Sequence, residues 1–190
     1  MVVALLDTSV LWPSLQRDFL LSLAAEGMYR PVWSAEILAE LEYEEARKLV
    51  ARHGLDHSDA TQSAARLVAT MRSAFDDAEV TGWEPRVGTY ALPDPDDEHV
   101  LAAAVVAGAG ALVTSNDKDF PRDKLPAAVD VLRPAEFAAN TVALSPAAAA
   151  RAVSELAARS GRHGRSFTVA EVLDALVHRY GMDEAVGYLR

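Results

Sequence analysis

Four acidic residues lie far apart in the chain, at points where strand and helix ends can gather them. Asp7 follows the apolar run Val2 to Leu6, Glu40 sits inside the helical stretch SAEILAELEYEEARKL, Asp97 opens DEHVLAAAVVAG and Asp119 closes ALVTSNDKDF. Carboxylates crowded within a few ångströms cannot all ionise without a counter-charge, so one takes a proton or a cation enters. A cation is the simpler answer. Oxygen ligands, with neither cysteine nor a paired-histidine motif, favour a hard ion such as Mg²⁺. Taken singly, each acid also has an ordinary explanation as a turn residue, a cap or part of a solvated helix face. Their order along the chain favours chemistry.

The elements that must position them alternate. An apolar strand is predicted over Val2 to Leu6, and Phe19, Leu20, Leu23 and Ala24 fall at helical spacing before Gly27. A second strand is expected at Tyr29 to Trp33, with Ser34 as N-cap of a helix reaching about Arg52. A helix from Ser58 to Phe75, an extended piece from Val80 to Trp83 and the proline-bracketed loop LPDPDDEH come next. They lead to a helix over Val100 to Ala107 that Gly108 and Gly110 end. Ala111 to Thr114 and Ala128 to Leu132 read as strands, and Pro134 as a helix start.

Strands alternating with helices imply an α/β fold of three layers, α/β/α, around a central, mainly parallel sheet whose functional groups collect outside the carboxyl ends of its strands. Asp7 and the segment after Thr114 occupy such ends, while Asp97 precedes a helix whose N-terminal dipole favours an anion. From Ser145 the pattern changes to two capped helices, with Ser145 and Thr168 as caps. The expected organisation is therefore a main domain over 1–142 and a helical C-terminal appendage over 145–190.

Composition bounds the partners. The chain has 190 residues, 51% of them hydrophobic and 24% charged, as befits a folded globular protein. Its lack of cysteine excludes disulfides, thiolate metal sites and thiol nucleophiles, and fits a reducing, cytoplasmic setting. No stretch reads as a signal peptide or membrane span, so no membrane association is expected. A net charge of −10 argues against nonspecific binding to nucleic acid. The tail from 145 differs, with six Arg against five Asp plus Glu. Arg159, Arg162, Arg165 and His163 form its basic cluster, suited to phosphates, to an acidic partner or simply to solvent. The helix from Thr168 to Tyr180 carries Glu171 and Asp174 against Arg179 alone, a poor groove reader, so protein contact is expected of the tail. Trp12, Trp33 and Trp83 sit near apolar element ends and read as core or interface fillers, and His99 as a helix-surface residue.

The sequence of DTSV, a helix with EILAEL, DxxVLAAA and then VTSNDKDF resembles the PIN domain over about residues 1 to 142, and the helical extension resembles that of some VapC-type toxins of bacterial toxin–antitoxin pairs. The resemblance implies a nuclease that holds Mg²⁺ or Mn²⁺ and cuts RNA. It carries Asp7, Glu40, Asp97, Asn116 and Asp119 into the metal site, with the four acids as catalytic residues. Asp117 competes with Asn116, and Glu36 and Glu42 with Glu40, which matches the EL pair of the family's helix. The implied reaction is phosphodiester hydrolysis by in-line attack of water, leaving 5′-phosphate and 3′-hydroxyl ends, with one-ion and two-ion occupancy both open. Ser9 and Thr114 are placed to orient Asp7 and Asn116 by hydrogen bonds.

The implied partners are an RNA substrate and an antitoxin protein, with a homodimer open. Two other functions compete: a noncatalytic PIN-like scaffold acting through protein partners, and an RNA-processing nuclease outside toxin–antitoxin systems. An aspartyl-phosphate phosphotransferase also begins with a strand and an Asp, but its second acid two residues on is Ser9 here.

Overall fold

The computed structural model describes residues 1–161 and 165–190, so Arg162 and His163 of the basic cluster lie outside the described residues. The chain opens with β1 (Val3–Leu6), α1 (Thr8–Leu11) and α2 (Ser14–Ala25), then β2 (Arg30–Ser34), α3 (Ala35–His53) and α4 (His57–Ala74). After β3 (Glu79–Val80) come 3₁₀ turns at Glu84–Arg86 and Pro95–Asp97, then α5 (Glu98–Val106) and β4 (Ala111–Val113). Further 3₁₀ turns at Asp117–Asp119 and Arg122–Lys124 precede β5 (Asp130–Leu132). The remaining helices are α6 (Pro134–Leu144), α7 (Pro146–Arg159), α8 (Val169–Tyr180) and α9 (Asp183–Gly187).

The strands form one mainly parallel sheet in the order β3-β2-β1-β4-β5, flanked by helices, which is the α/β PIN-like fold. Ala4, Leu5 and Leu6 are fully buried, as expected of a central strand covered on both faces. Parallel register pairs Leu6 with Val113, so the residues that follow, Asp7 and Thr114, emerge side by side. The chain runs from β1 outward to β2 and β3, then returns to β4 on the other side. That reversal makes the crevice beyond the β1 and β4 carboxyl ends a topological switch point, where α/β sheets bind ligands.

Local chemistry explains the element ends. Ser34 Oγ accepts from Ile37 N at 3.2 Å, and α3 stops at Gly54 in the left-handed region (φ 66°). The extended piece expected over 80–83 is cut to Glu79–Val80, because Gly82 turns the chain at φ 77° and Pro85 starts a 3₁₀ turn.

Contacts divide the chain into two compact units, one of Met1, Pro13–Arg30 and Leu132–Arg190, the other of Val2–Trp12 and Pro31–Val131. In the first, α2 packs against α7, α6 against α9 and α7 against α8. Its core includes Phe19, Leu20, Tyr29, Phe137, Val153 and Leu176. Tyr29 and Phe137 meet edge to face, with ring centroids 4.8 Å apart. The expected caps are in place: Ser145 Oγ accepts from Ala148 N, and Thr168 and Glu171 form a capping box. In the second, α3 and α4 pair as an antiparallel hairpin, and α5 packs on β1 and β4. Among the described residues no helix is long and apolar enough to cross a membrane.

Candidate active site

Asp7 leaves the carboxyl end of β1 and is 7% exposed. Its Oδ2 accepts hydrogen bonds from Ser9 Oγ at 2.6 Å and Thr114 Oγ1 at 2.7 Å. Those hydroxyls lie 3.3 Å apart and each accepts from the backbone in turn, Ser9 from Ser115 N and Thr114 from Asn116 N, both at 3.0 Å. The loop after β4 is thus fastened to the end of β1, and the Asp7 carboxylate has a fixed orientation.

Glu40, on α3, is held by two other groups. Thr8 Oγ1 donates to its Oε2 at 2.5 Å, and His99 Nε2 lies 3.2 Å from its Oε1. Burial alone would raise the Glu40 pKa, but the hydrogen bonds of His99 and Thr8 and the charge of His99 outweigh it and hold the carboxyl below its usual value. For His99, burial lowers the pKa, and the Glu40 hydrogen bond and charge, with smaller contributions from Glu36 and Asp7, raise it overall. His99 is therefore not the helix-surface residue that sequence suggests. Its side chain is 13% exposed and links α5 to α3. Of the three glutamates competing on this helix, Glu40 is the one that Thr8 and His99 grip.

Asp97 ends a 3₁₀ turn at the N-terminus of α5, and Asp119 ends the 3₁₀ turn after β4. Neither carboxylate has a hydrogen-bonding or ion-paired partner among the described residues. The Asp97 pKa is raised to about 6, first by burial and then by the negative charges of Asp7, Asp119 and Asp94, with His99 offsetting part of this. Asp97 therefore feels the like charges of Asp7 and Asp119, residues 112 positions apart in sequence. Asn116 is exposed, its backbone N bound to Thr114, and its side chain makes no cap bond; Asp117 is half-exposed.

Asp97, repelled by neighbouring carboxylates that His99 only partly offsets, and the oxygens around it have the donor type and charge that suit a hard divalent ion. Among the described residues, however, no three His, Asp or Glu form a ready-made ligand cluster.

The PIN domain family matches residues 3–118, well over half of the 190. This chain belongs to the PIN domain family. Domains of the family are generally nucleases, hydrolases of RNA or DNA that typically work with divalent metals, so a nucleic acid substrate is implied. Asp7, Glu40, Asp97 and Asn116 fall inside the PIN match, and Asp119 lies one residue beyond it. No curated protein and no solved structure gives a significant match to the chain.

Three further residues of the PIN domain bear on the site. Thr8 follows Asp7 directly and His99 stands two positions after Asp97, so proximity in sequence was the available signal for both. Glu98 is the third. Only 3% exposed, it accepts from Tyr90 N at 3.3 Å and Leu92 N at 3.2 Å, which fastens the preceding loop to α5. Burial would raise its pKa, but the backbone N–H groups of Tyr90, Leu92, Gly88 and Ala91 outweigh it and lower it. A loop acid beside three others gave no sequence signal of that role.

Proposed function

We propose that this PIN domain is a Mg²⁺- or Mn²⁺-dependent endoribonuclease, the toxin of a bacterial toxin–antitoxin pair of the VapC type, acting in the cytoplasm. The nuclease domain covers 1–142, and the helices of 145–190 serve contact with a protein partner, an antitoxin or a second copy of the chain. The observation that supports the metal assignment is the electrostatic conflict at Asp97: the charges of Asp7, Asp119 and Asp94 all press on it, and His99 relieves only part of that pressure.

Asp7, Asp97 and Asp119 would hold the ion, with Glu40 and Asn116 completing the set. When bound, the ion supplies charge neutralisation at the phosphate and activation of water. The chain's own residues do the positioning. Ser9 and Thr114 fix the Asp7 carboxylate, and Thr8 and His99 fix Glu40, so little reorganisation is needed as charge develops. His99 and Thr8 keep Glu40 ionised, while Asp97, with its raised pKa, gains most from a cation.

The test is incubation of purified protein with structured and unstructured RNA, and with DNA, in Mg²⁺, Mn²⁺ or chelator. The expected result is RNA cleavage in either ion, none in chelator, and none by Asp97→Asn. Cleavage of DNA alone would replace the substrate. No cutting under any ion would shift the function to a noncatalytic scaffold.

A further inference from the structure

The sequence reads Trp83 as a filler, and the structure gives it a different setting. Trp83 is half-exposed, and its ring lies 6.0 Å from that of His99, whose other contact is Glu40. It immediately precedes the 3₁₀ turn Glu84–Arg86, which packs against α5, the helix that Asp97 opens. Arg86 N donates to Trp83 O at 3.0 Å. In a 3₁₀ turn, positions i and i+3 eclipse, so residues 83 and 86 stand on the same side of the turn. Arg86 is exposed, and among the described residues its side chain has no ion pair. On a chain of net charge −10, an arginine with no ion pair among the described residues thus stands one turn from a half-exposed aromatic.

The turn is also braced. Gly82 (φ 77°) and Gly88 (φ 82°) bend the chain on either side of it, and Glu98 fastens the following backbone at Tyr90 and Leu92. A platform fixed before the ligand arrives loses little freedom on binding.

We propose that Trp83 and Arg86 form a nucleotide subsite beside the carboxylates, Trp83 stacking one base of single-stranded RNA and Arg86 holding an adjoining phosphate. The proposal rests on the ribonuclease assignment and extends it to how substrate is gripped. An acidic rim repels phosphate, so affinity must come from contacts that carry no negative charge and from the few cations left unpaired. Stacking on an aromatic face meets the first need for any base, and a guanidinium the second. The subsite therefore grips the strand with little preference for sequence.

Two measurements separate this subsite from the assignment beneath it. One is quenching of tryptophan fluorescence by a single-stranded RNA oligonucleotide with Ca²⁺ in place of Mg²⁺; the other is steady-state cleavage in Mg²⁺. Expected are quenching in wild type that Trp83→Phe abolishes, and a Kd weakened about tenfold in Trp83→Ala but much less in Trp83→Phe. In cleavage, Trp83→Ala should raise KM with little change in kcat. Arg86→Ala should weaken binding and reduce the salt slope by about one phosphate contact. An abasic site at one position of the RNA should weaken wild type and leave Trp83→Ala unaffected. Circular dichroism of each variant checks the fold. A wild type that cleaves RNA while both alanine variants bind and cleave as it does overturns the subsite alone. Trp83-dependent quenching without cleavage in any ion overturns the ribonuclease assignment and leaves the subsite standing. Neither signal overturns both.

Discussion

Thr114 donates its hydroxyl to Asp7 Oδ2 at 2.7 Å across 107 positions of sequence. The bond follows from parallel register, because Leu6 pairs with Val113 and the next residue of each strand turns into the same crevice. Thr114→Val keeps the shape and removes the donor. The expected result is an RNA cleavage rate lower by roughly 10- to 100-fold, as for residues that orient a metal ligand. Stability should fall by about 1–2 kcal/mol, since Ser9 still serves the buried carboxylate. Cleavage assays and urea unfolding measure the two effects, and cleavage at the wild-type rate would remove Thr114 from the positioning network.

The pH dependence of stability should reverse when metal is added. Asp97 titrates at about 6 in the folded chain against an ordinary 3.8. As pH rises through that window the unfolded chain releases this proton first, so the ion-free protein loses stability. His99, whose pKa is also raised, adds to the loss at higher pH as its pairing with Glu40 fades. A divalent ion needs Asp97 ionised, so Mn²⁺ should raise the melting temperature more at about pH 7.5 than at about pH 5. Equal Mn²⁺ shifts at both values would separate Asp97 from the ion.

Salt should weaken cleavage. With about three phosphate contacts on a single strand, the log–log slope of kcat/KM at low substrate should be near −2, or roughly a 10- to 20-fold loss between ~50 and ~200 mM salt. Flat activity over that range would mean that the chain grips RNA by other means.

The helical unit should set stability rather than chemistry. Leu176 is fully buried on α8, and Leu176→Ala should cost about 2–5 kcal/mol in urea unfolding while Mn²⁺ binding persists. Deleting 145–190 strips α7 from α2 and exposes an apolar helix face, so loss of solubility or partner binding should exceed any loss in the chemical step. Loss of all metal binding on deletion would contradict this division of labour.

The central strands were readable from sequence because short apolar runs such as VALL and ALV, bounded by polar residues and glycine, suit strands buried on both faces, whereas the edge strand β3 was placed less well. Capping residues were equally legible: Ser34, Ser145 and Thr168 each make the expected bond. The grouping of Asp7 with Thr114 and Ser9 could be anticipated from strand ends alone. The roles of His99 and Glu98 could not, because both depend on how α5 faces α3 and on the irregular backbone of 81–94, which has no periodicity to read. The half-exposure of Trp83 was not legible for the same reason: proximity to apolar residues in sequence says little about exposure in a loop that Gly82 turns.

Whether these carboxylates hold a divalent ion is read by Mn²⁺ binding followed by electron paramagnetic resonance, comparing wild type with Asp7→Asn and Asp97→Asn, whose folds are checked by circular dichroism. Wild type is expected to bind Mn²⁺ saturably at neutral pH, more tightly with RNA, and both variants to lose most of that binding. Binding of equal strength in all three proteins, or none in wild type with or without RNA, would contradict the metal assignment.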